Sequence, residues 1–154
     1  MTSLQSGGFG LVDLVADLHG TEFVLKRCAI QRPEKMAVVK KEIKILQQFK
    51  GPYIVELLAS EVVGQEAMLL LQLCPGGHLL TRLNSRNGQH LPMTNIYRIF
   101  GQLVSAVKPL HEHNPPITHR DLKLENILFG PVRFFSLQWL RSVCDFELEL
   151  IDRL

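Results

Sequence analysis

Several features that mark out protein classes are scarce in this chain. Its 154 residues hold one Trp, two Tyr and three Cys. Cys28, Cys74 and Cys144 are odd in number and form no C-x-x-C pair, so they read as free thiols in a reducing compartment rather than as a disulfide framework. No apolar run reaches the ~20 residues a membrane span needs. The N-terminal residues Met1 to Ser6 lack both the basic and the apolar region of a signal peptide. Charge of one sign is also missing: 17 basic against 15 acidic side chains leave a net +2, which gives no ground for nucleic-acid or anionic-membrane binding. There is no internal repeat and no low-complexity segment. What remains is 46% apolar and 21% charged, a globular composition long enough for one domain or part of one. The expectation is a soluble, cytoplasmic chain.

The punctuation of the chain suggests its elements. Gly7-Gly8-Phe9-Gly10 followed by Leu11 to Val15, a turn at His19-Gly20-Thr21 and then Glu22 to Lys26 reads as a glycine-rich hairpin. Pro33 suits a first helical turn, and Met36, Val39, Ile43, Leu46 and Phe49 recur at helical spacing until Gly51-Pro52. Tyr53 to Leu58 and Ala67 to Leu73 are apolar runs fit for buried strands. After the Pro75-Gly76-Gly77 turn, Leu79 to Arg86 is a short helix. The strongest periodicity spans Met93 to His111, with a stripe of Ile96, Ile99, Phe100, Leu103, Val104, Val107 and Leu110. Pro109 should disturb its last turn, and Asn114-Pro115-Pro116 ends it. Residues 134–154 show no clear period.

Three constellations carry chemistry. Glycines at 7, 8 and 10 would let backbone N–H groups approach phosphate oxygens closely, and the pattern G-x-G-x-x-G-x-V fits residues 5–12 except that Gln5 stands at the first glycine. Alone, this could be an ordinary turn. Lys26, ending Val24-Leu25-Lys26, stands where the lysine of V-A-I-K would; a lone strand lysine is commonly a surface charge, but an ammonium here can neutralise nucleotide phosphate if something orients it. Glu42, at the buried edge of the first helix, is the candidate partner. Decisive is His119-Arg120-Asp121-Leu122-Lys123-Leu124-Glu125-Asn126, which fits H-R-D-L-x-x-x-N at every position. Asp121 would orient or accept the proton of a hydroxyl, Asn126 would return on the same loop to a metal ion, and Lys123 would meet the transferring phosphoryl group. A rival zinc site from His111, His113, His119 and Glu112 lacks H-E-x-x-H spacing, and His111 and His113 diverge on a helix.

On these motifs the chain resembles eukaryotic protein kinases from just before the Gly-rich loop to about Phe129. Gly7-Gly8-Phe9, Leu25-Lys26-Arg27, Leu73-Cys74-Pro75-Gly76-Gly77 and Pro115-Pro116-Ile117-Thr118-His119-Arg120-Asp121 are similar to the Numb-associated family, which includes the adaptin-associated and cyclin-G-associated kinases. The resemblance implies an ATP- and Mg2+-dependent serine/threonine kinase acting on a protein substrate, with endocytic adaptors as possible partners. It further implies that Leu71 is the gatekeeper, that Gln72 to Cys74 form the adenine hinge, and that Val12 and Val24 flank the adenine. The nucleotide site would then comprise Gly7, Gly8, Phe9, Gly10, Val12, Val24, Lys26, Leu71, Gln72 and Cys74.

The pattern breaks near the end. A second metal-binding aspartate should sit in D-F-G; Cys144-Asp145-Phe146-Glu147 offers Asp145 but puts Glu147 in place of glycine, at a longer distance from Asn126 than the resemblance implies. The expected fold is α+β: an antiparallel N-terminal sheet with one helix, then the start of a helical lobe. The expected divisions are 1–74 for the N-lobe and hinge, 75–129 for the start of the C-lobe, and 130–154 for a divergent tail, so that the domain reads as C-terminally truncated. The alternative is an inactive kinase fragment that binds only nucleotide or partners.

Overall fold

The computed structural model describes residues 2–7, 10–30, 32, 35–130 and 135–137. These fall into two compact units, one within residues 2–48 and 56–73, the other within 49–55 and 74–137.

The first unit is built from β-branched and apolar segments that alternate across a sheet. Its strands are β1 (Thr2–Gly7), β2 (Gly10–Ala16), β3 (Glu22–Ala29), β4 (Leu57–Val63) and β5 (Glu66–Gln72), ordered β1-β2-β3-β5-β4 and antiparallel throughout. Directly paired residues in such a sheet share a face. Lys26 lies opposite Val12 and Leu69, and Val24 lies opposite Leu14 and Leu71. Cys28, Ala67, Leu69 and Leu71 complete this face and are buried. The next residue on β3, Arg27, points the other way and forms an ion pair with buried Asp13 of β2. Helix α1 (Lys35–Gln48) buries Val39, Ile43 and Leu46 at i, i+4 and i+7, the spacing of one helical face. Gln47 of α1 donates to Ser60 of β4 at 3.3 Å.

Three expectations need correction. The strand expected over Tyr53 to Leu58 begins only at Leu57, because the Gly51-Pro52 turn, closed by Ile54 N–H to Gly51 carbonyl at 3.2 Å, directs Tyr53 and Ile54 into the core of the second unit. Phe49, placed at the end of the first helical stripe, packs into that same core. Cys28 is disulfide-bonded rather than a free thiol, whereas Cys74 is free.

The second unit holds α2 (Leu79–Asn84), α3 (Met93–His111), and the hairpin of β6 (Ile127–Phe129) with β7 (Phe135–Leu137). Its core joins Ile54, Leu79, Ile99, Ala106, Val107, Ile127 and Phe129. The α3 stripe divides in two. Ile99, Ala106, Val107 and Leu110 are buried, while Met93, Ile96, Tyr97, Phe100 and Val104 stand exposed. The helix runs through Pro109 to His111, and Glu112 N–H closes it on the Lys108 carbonyl at 3.0 Å. Leu110, at 1% exposure, also lends its carbonyl to Ile117 N–H at 2.9 Å, tying the helix end to the segment that leads to the His119 loop.

This division sets the energetic weight of α3 residues. Leu110→Ala should lower unfolding free energy by about 2–5 kcal/mol, the range for emptying a buried leucine site. Tyr97→Ser, on the exposed side, should change it by no more than about 0.5 kcal/mol. Urea denaturation of the two variants checks the contrast.

Candidate active site

The His119–Asn126 loop is anchored at one end and folded back on itself at the other. His119 is 2% exposed, and its Nδ1 accepts from the Asp121 backbone N–H at 3.3 Å. Between them Arg120 takes φ +63°, a left-handed conformation that costs a non-glycine residue roughly 1–2 kcal/mol. The reversal leaves His119 in the interior and Asp121 half-buried. Non-glycine residues held this way gather at functional sites, where surrounding structure enforces them.

Asp121 is then held on both carboxylate oxygens. Lys123 Nζ lies 3.0 Å from Oδ1. Asn126 Nδ2 lies 2.8 Å from Oδ2 and 2.6 Å from the Asp121 backbone oxygen, and donates to both. The five-residue return expected from the spacing is thus made through a 3₁₀ turn, Leu124–Asn126, closed by Asn126 N–H to the Lys123 carbonyl at 3.0 Å. With both Nδ2 protons directed at Asp121, the remaining polar atom of the buried Asn126 amide is its carbonyl oxygen. That is the hard donor type magnesium takes. Asp121, Lys123 and Asn126 are therefore brought together.

In the first unit, Val12, Val24, Lys26 and Leu71 lie on one face of the sheet. Lys26 is 5% exposed, an unusual position for an ammonium and one that suits an anion-facing role. Leu71, at 2% exposure, closes this face near the end of β5, followed by half-buried Gln72 and Leu73 and buried Cys74. Gln72 N–H donates to the Glu56 carbonyl at 3.0 Å, which fixes the strand end. Gly7 pairs with Gly10 where β1 turns into β2. Gly8, Phe9, the Glu42 side chain and Asp145 lie outside the described residues.

Two histidines of the rival zinc reading are engaged otherwise. His113 Nδ1 lies 2.8 Å from the Pro115 carbonyl, and His119 serves the loop. Among the described residues no cluster of three or more His, Cys, Asp or Glu side chains is placed for a metal. Sequence reasoning missed Asp13, whose pairing with Arg27 ties β2 to β3, and His78, whose Nδ1 caps α2 by accepting from Thr81 N–H at 3.1 Å. A polar residue directly before a helix is a legible capping signal. A buried aspartate on a strand is legible only once register is known.

Comparison with known proteins agrees with this geometry. The protein kinase domain family matches residues 1–148, and the chain belongs to that family. It is 36% identical over 134 residues to a probable serine/threonine-protein kinase of Dictyostelium discoideum, covering 82% of this chain and 17% of the relative. It is 32% identical over 149 residues to the serine/threonine-protein kinase ppk30 of Schizosaccharomyces pombe, covering 92% of this chain and 16% of the relative. A second probable serine/threonine-protein kinase of Dictyostelium discoideum is 34% identical over 151 residues, covering 93% of this chain and 13% of the relative. The chain thus spans less than a fifth of the length of these relatives.

Burial also marks Cys74, directly after the half-buried Gln72 and Leu73. Desolvation pushes its thiol up to about 11 from an ordinary 9.0, because the thiolate loses hydration there. Since the thiolate is the nucleophile, iodoacetamide labelling of the Cys74 peptide should climb steadily with pH and show no plateau near 9. Mass-spectrometric rates at successive pH values read this directly; levelling off near 9 would mean an ordinary thiol.

Proposed function

We propose that this chain supplies the catalytic machinery of an ATP-dependent serine/threonine protein kinase. The observation that carries the reading is Asp121, held at Oδ1 by Lys123 and at Oδ2 by Asn126. A hydroxyl oxygen of a protein substrate attacks the γ-phosphorus, the bond to the bridging oxygen of ADP breaks, and Asp121 receives the hydroxyl proton. Lys123 shields charge on the transferring group and keeps Asp121 aimed. Lys26, oriented by Glu42, faces the nucleotide phosphates, and Gly7, Gly8, Phe9 and Gly10 approach them through backbone N–H groups. Val12 and Val24 flank the adenine, Leu71 is the gatekeeper, and Gln72 to Cys74 form the hinge.

The donor set fits magnesium: Asn126 offers an amide oxygen, and Asp145 would add a carboxylate. When bound, the ion neutralises phosphate charge. Support for Asp145 comes from the family match, which runs to residue 148 and so takes in Asp145-Phe146 beyond the expected tail boundary at 130. Within the kinases, Gly7-Gly8-Phe9 and the Leu73–Gly77 and Pro115–Asp121 runs favour the Numb-associated family. That placement brings with it a cytoplasmic setting and endocytic adaptor proteins as partners. The proposed divisions remain 1–74, 75–129 and 130–154. A second reading, nucleotide binding without phosphoryl transfer, draws on Glu147, which puts a carboxylate and a bulkier backbone position where glycine is expected.

Three variants test the site, and Asp121→Asn separates the two readings. Lys26→Ala should abolish Mg-ATP binding in calorimetry, and unchanged affinity would remove Lys26 from the site. Glu42→Gln should weaken ATP binding but leave adenosine binding nearly unchanged; equal losses would count against the pairing. Asp121→Asn should lower phosphorylation of a generic basic protein by about 10²–10⁴-fold, the contribution of a positioned base. Tight Mg-ATP binding with no Asp121-dependent transfer would favour the second reading.

A further inference from the structure

Gly76 lies outside the catalytic loop, yet its surroundings tie it to Asn126. The turn after Cys74 runs antiparallel to β6, the strand that begins directly after Asn126. Gly76 N–H donates to the Phe129 carbonyl at 3.1 Å, Phe129 N–H donates to the Gly77 carbonyl at 2.9 Å, and His78 bridges to Leu128. At Gly76 the turn and β6 meet without room for a side chain. A Cβ there would stand 2.4 Å from Phe129 Cβ and 3.0 Å from the Phe129 carbonyl oxygen. That is about 1 Å short of ordinary carbon–carbon contact.

Phe129 has nowhere to retreat. Its ring is buried in the core with Ile54, Leu79, Ile99 and Ile127, and the Arg82 guanidinium lies over it at 4.3 Å from the centroid. The obstruction is Cβ and backbone rather than a flexible side-chain tip, so rotamer changes do not relieve it. A side chain at position 76 must push β6 away or break its two hydrogen bonds to the turn. Either response moves the strand whose preceding residue is Asn126.

We propose that Gly76 is a positioning residue: by admitting Phe129 to backbone contact, it fixes β6 and so sets where the Asn126 amide stands. The inference rests on the reading of Asn126 as a metal-holding residue for its functional consequence. Its geometric part stands on the turn–β6 contact itself.

The test uses the full chain with Mn2+ as the probe, in the presence of saturating ADP, with free Mn2+ read by electron paramagnetic resonance. Gly76→Ala should weaken Mn2+ affinity by about 10–100-fold, the usual loss when support behind a metal ligand is disturbed. It should also shift the Asn126 side-chain amide signals in 1H–15N spectra. Gly101→Ala, where an added Cβ meets nothing within 4 Å, should change neither reading. Arg82→Gln loosens the Phe129 ring without crowding and should shift the Asn126 signals in a smaller degree, so the proposal stays testable if Gly76→Ala fails to fold. Asn126→Ala runs alongside. If it loses Mn2+ affinity while folded Gly76→Ala keeps wild-type affinity and amide shifts, the positioning role is overturned and the metal reading survives. If Asn126→Ala binds Mn2+ normally, the metal reading fails, and displaced Asn126 amide signals in Gly76→Ala still uphold the positioning role. A merely structural glycine would lower thermal stability but leave the Mn2+ affinity and Asn126 signals of the folded protein unchanged.

Discussion

A carboxylate that is to receive a proton must keep its orientation before the hydroxyl arrives. At Asp121, the base proposed above, each oxygen has its own donor, Lys123 on Oδ1 and Asn126 on Oδ2. Hydrogen bonds to a charged acceptor are worth roughly 1.5–3 kcal/mol each, so freeing the carboxylate means losing both at once. Arg120 in its left-handed conformation and His119 sunk in the interior set how the chain enters Asp121, and the 3₁₀ turn Leu124–Asn126 returns Asn126 to it across five residues. The helix end at Leu110, hydrogen-bonded to Ile117, supplies the rigid side of the loop. The geometry of the proposed catalytic loop is thus carried by buried neighbours.

The same division appears in the first unit. On β3, alternation sends Lys26 to the buried face and Arg27 to the other. Arg27 pairs with Asp13 from the neighbouring strand. Burying one member of such a pair without the other is strongly unfavourable, so the ion pair holds β2 and β3 in the register that sets Val12 opposite Lys26. A slip of one residue would exchange the faces and bring Arg27 where Lys26 belongs.

What was legible in the sequence follows from how local each relation is. Asp121, Lys123 and Asn126 sit within one loop, so spacing alone foretold the return of Asn126, though not the pairing of Lys123 with Asp121. The long helix was legible to its ends because nineteen residues keep one period. Its division into a covered and an uncovered side was not, since periodicity names a stripe without naming what packs on it. Tyr53 and Phe49 misled for a related reason: an apolar run next to a turn serves either unit, and only long-range packing decides which. Gly76 was read as turn punctuation. Its requirement comes from Phe129, more than fifty residues away, and a side chain that must be absent leaves no chemical signal in the sequence.

The departure at Gln5 can be weighed on the same terms. Glycine is needed where a backbone must turn sharply or approach another atom closely. Gln5 meets neither condition, for it pairs in register with Val12 inside β1, just past an irregularity that begins at Ser3. An extended, paired strand position accepts any residue other than proline without strain. The turn itself falls between Gly7 and Gly10, which face each other across the hairpin and are both present. The substitution at the first glycine therefore leaves the pairing of β1 with β2 intact.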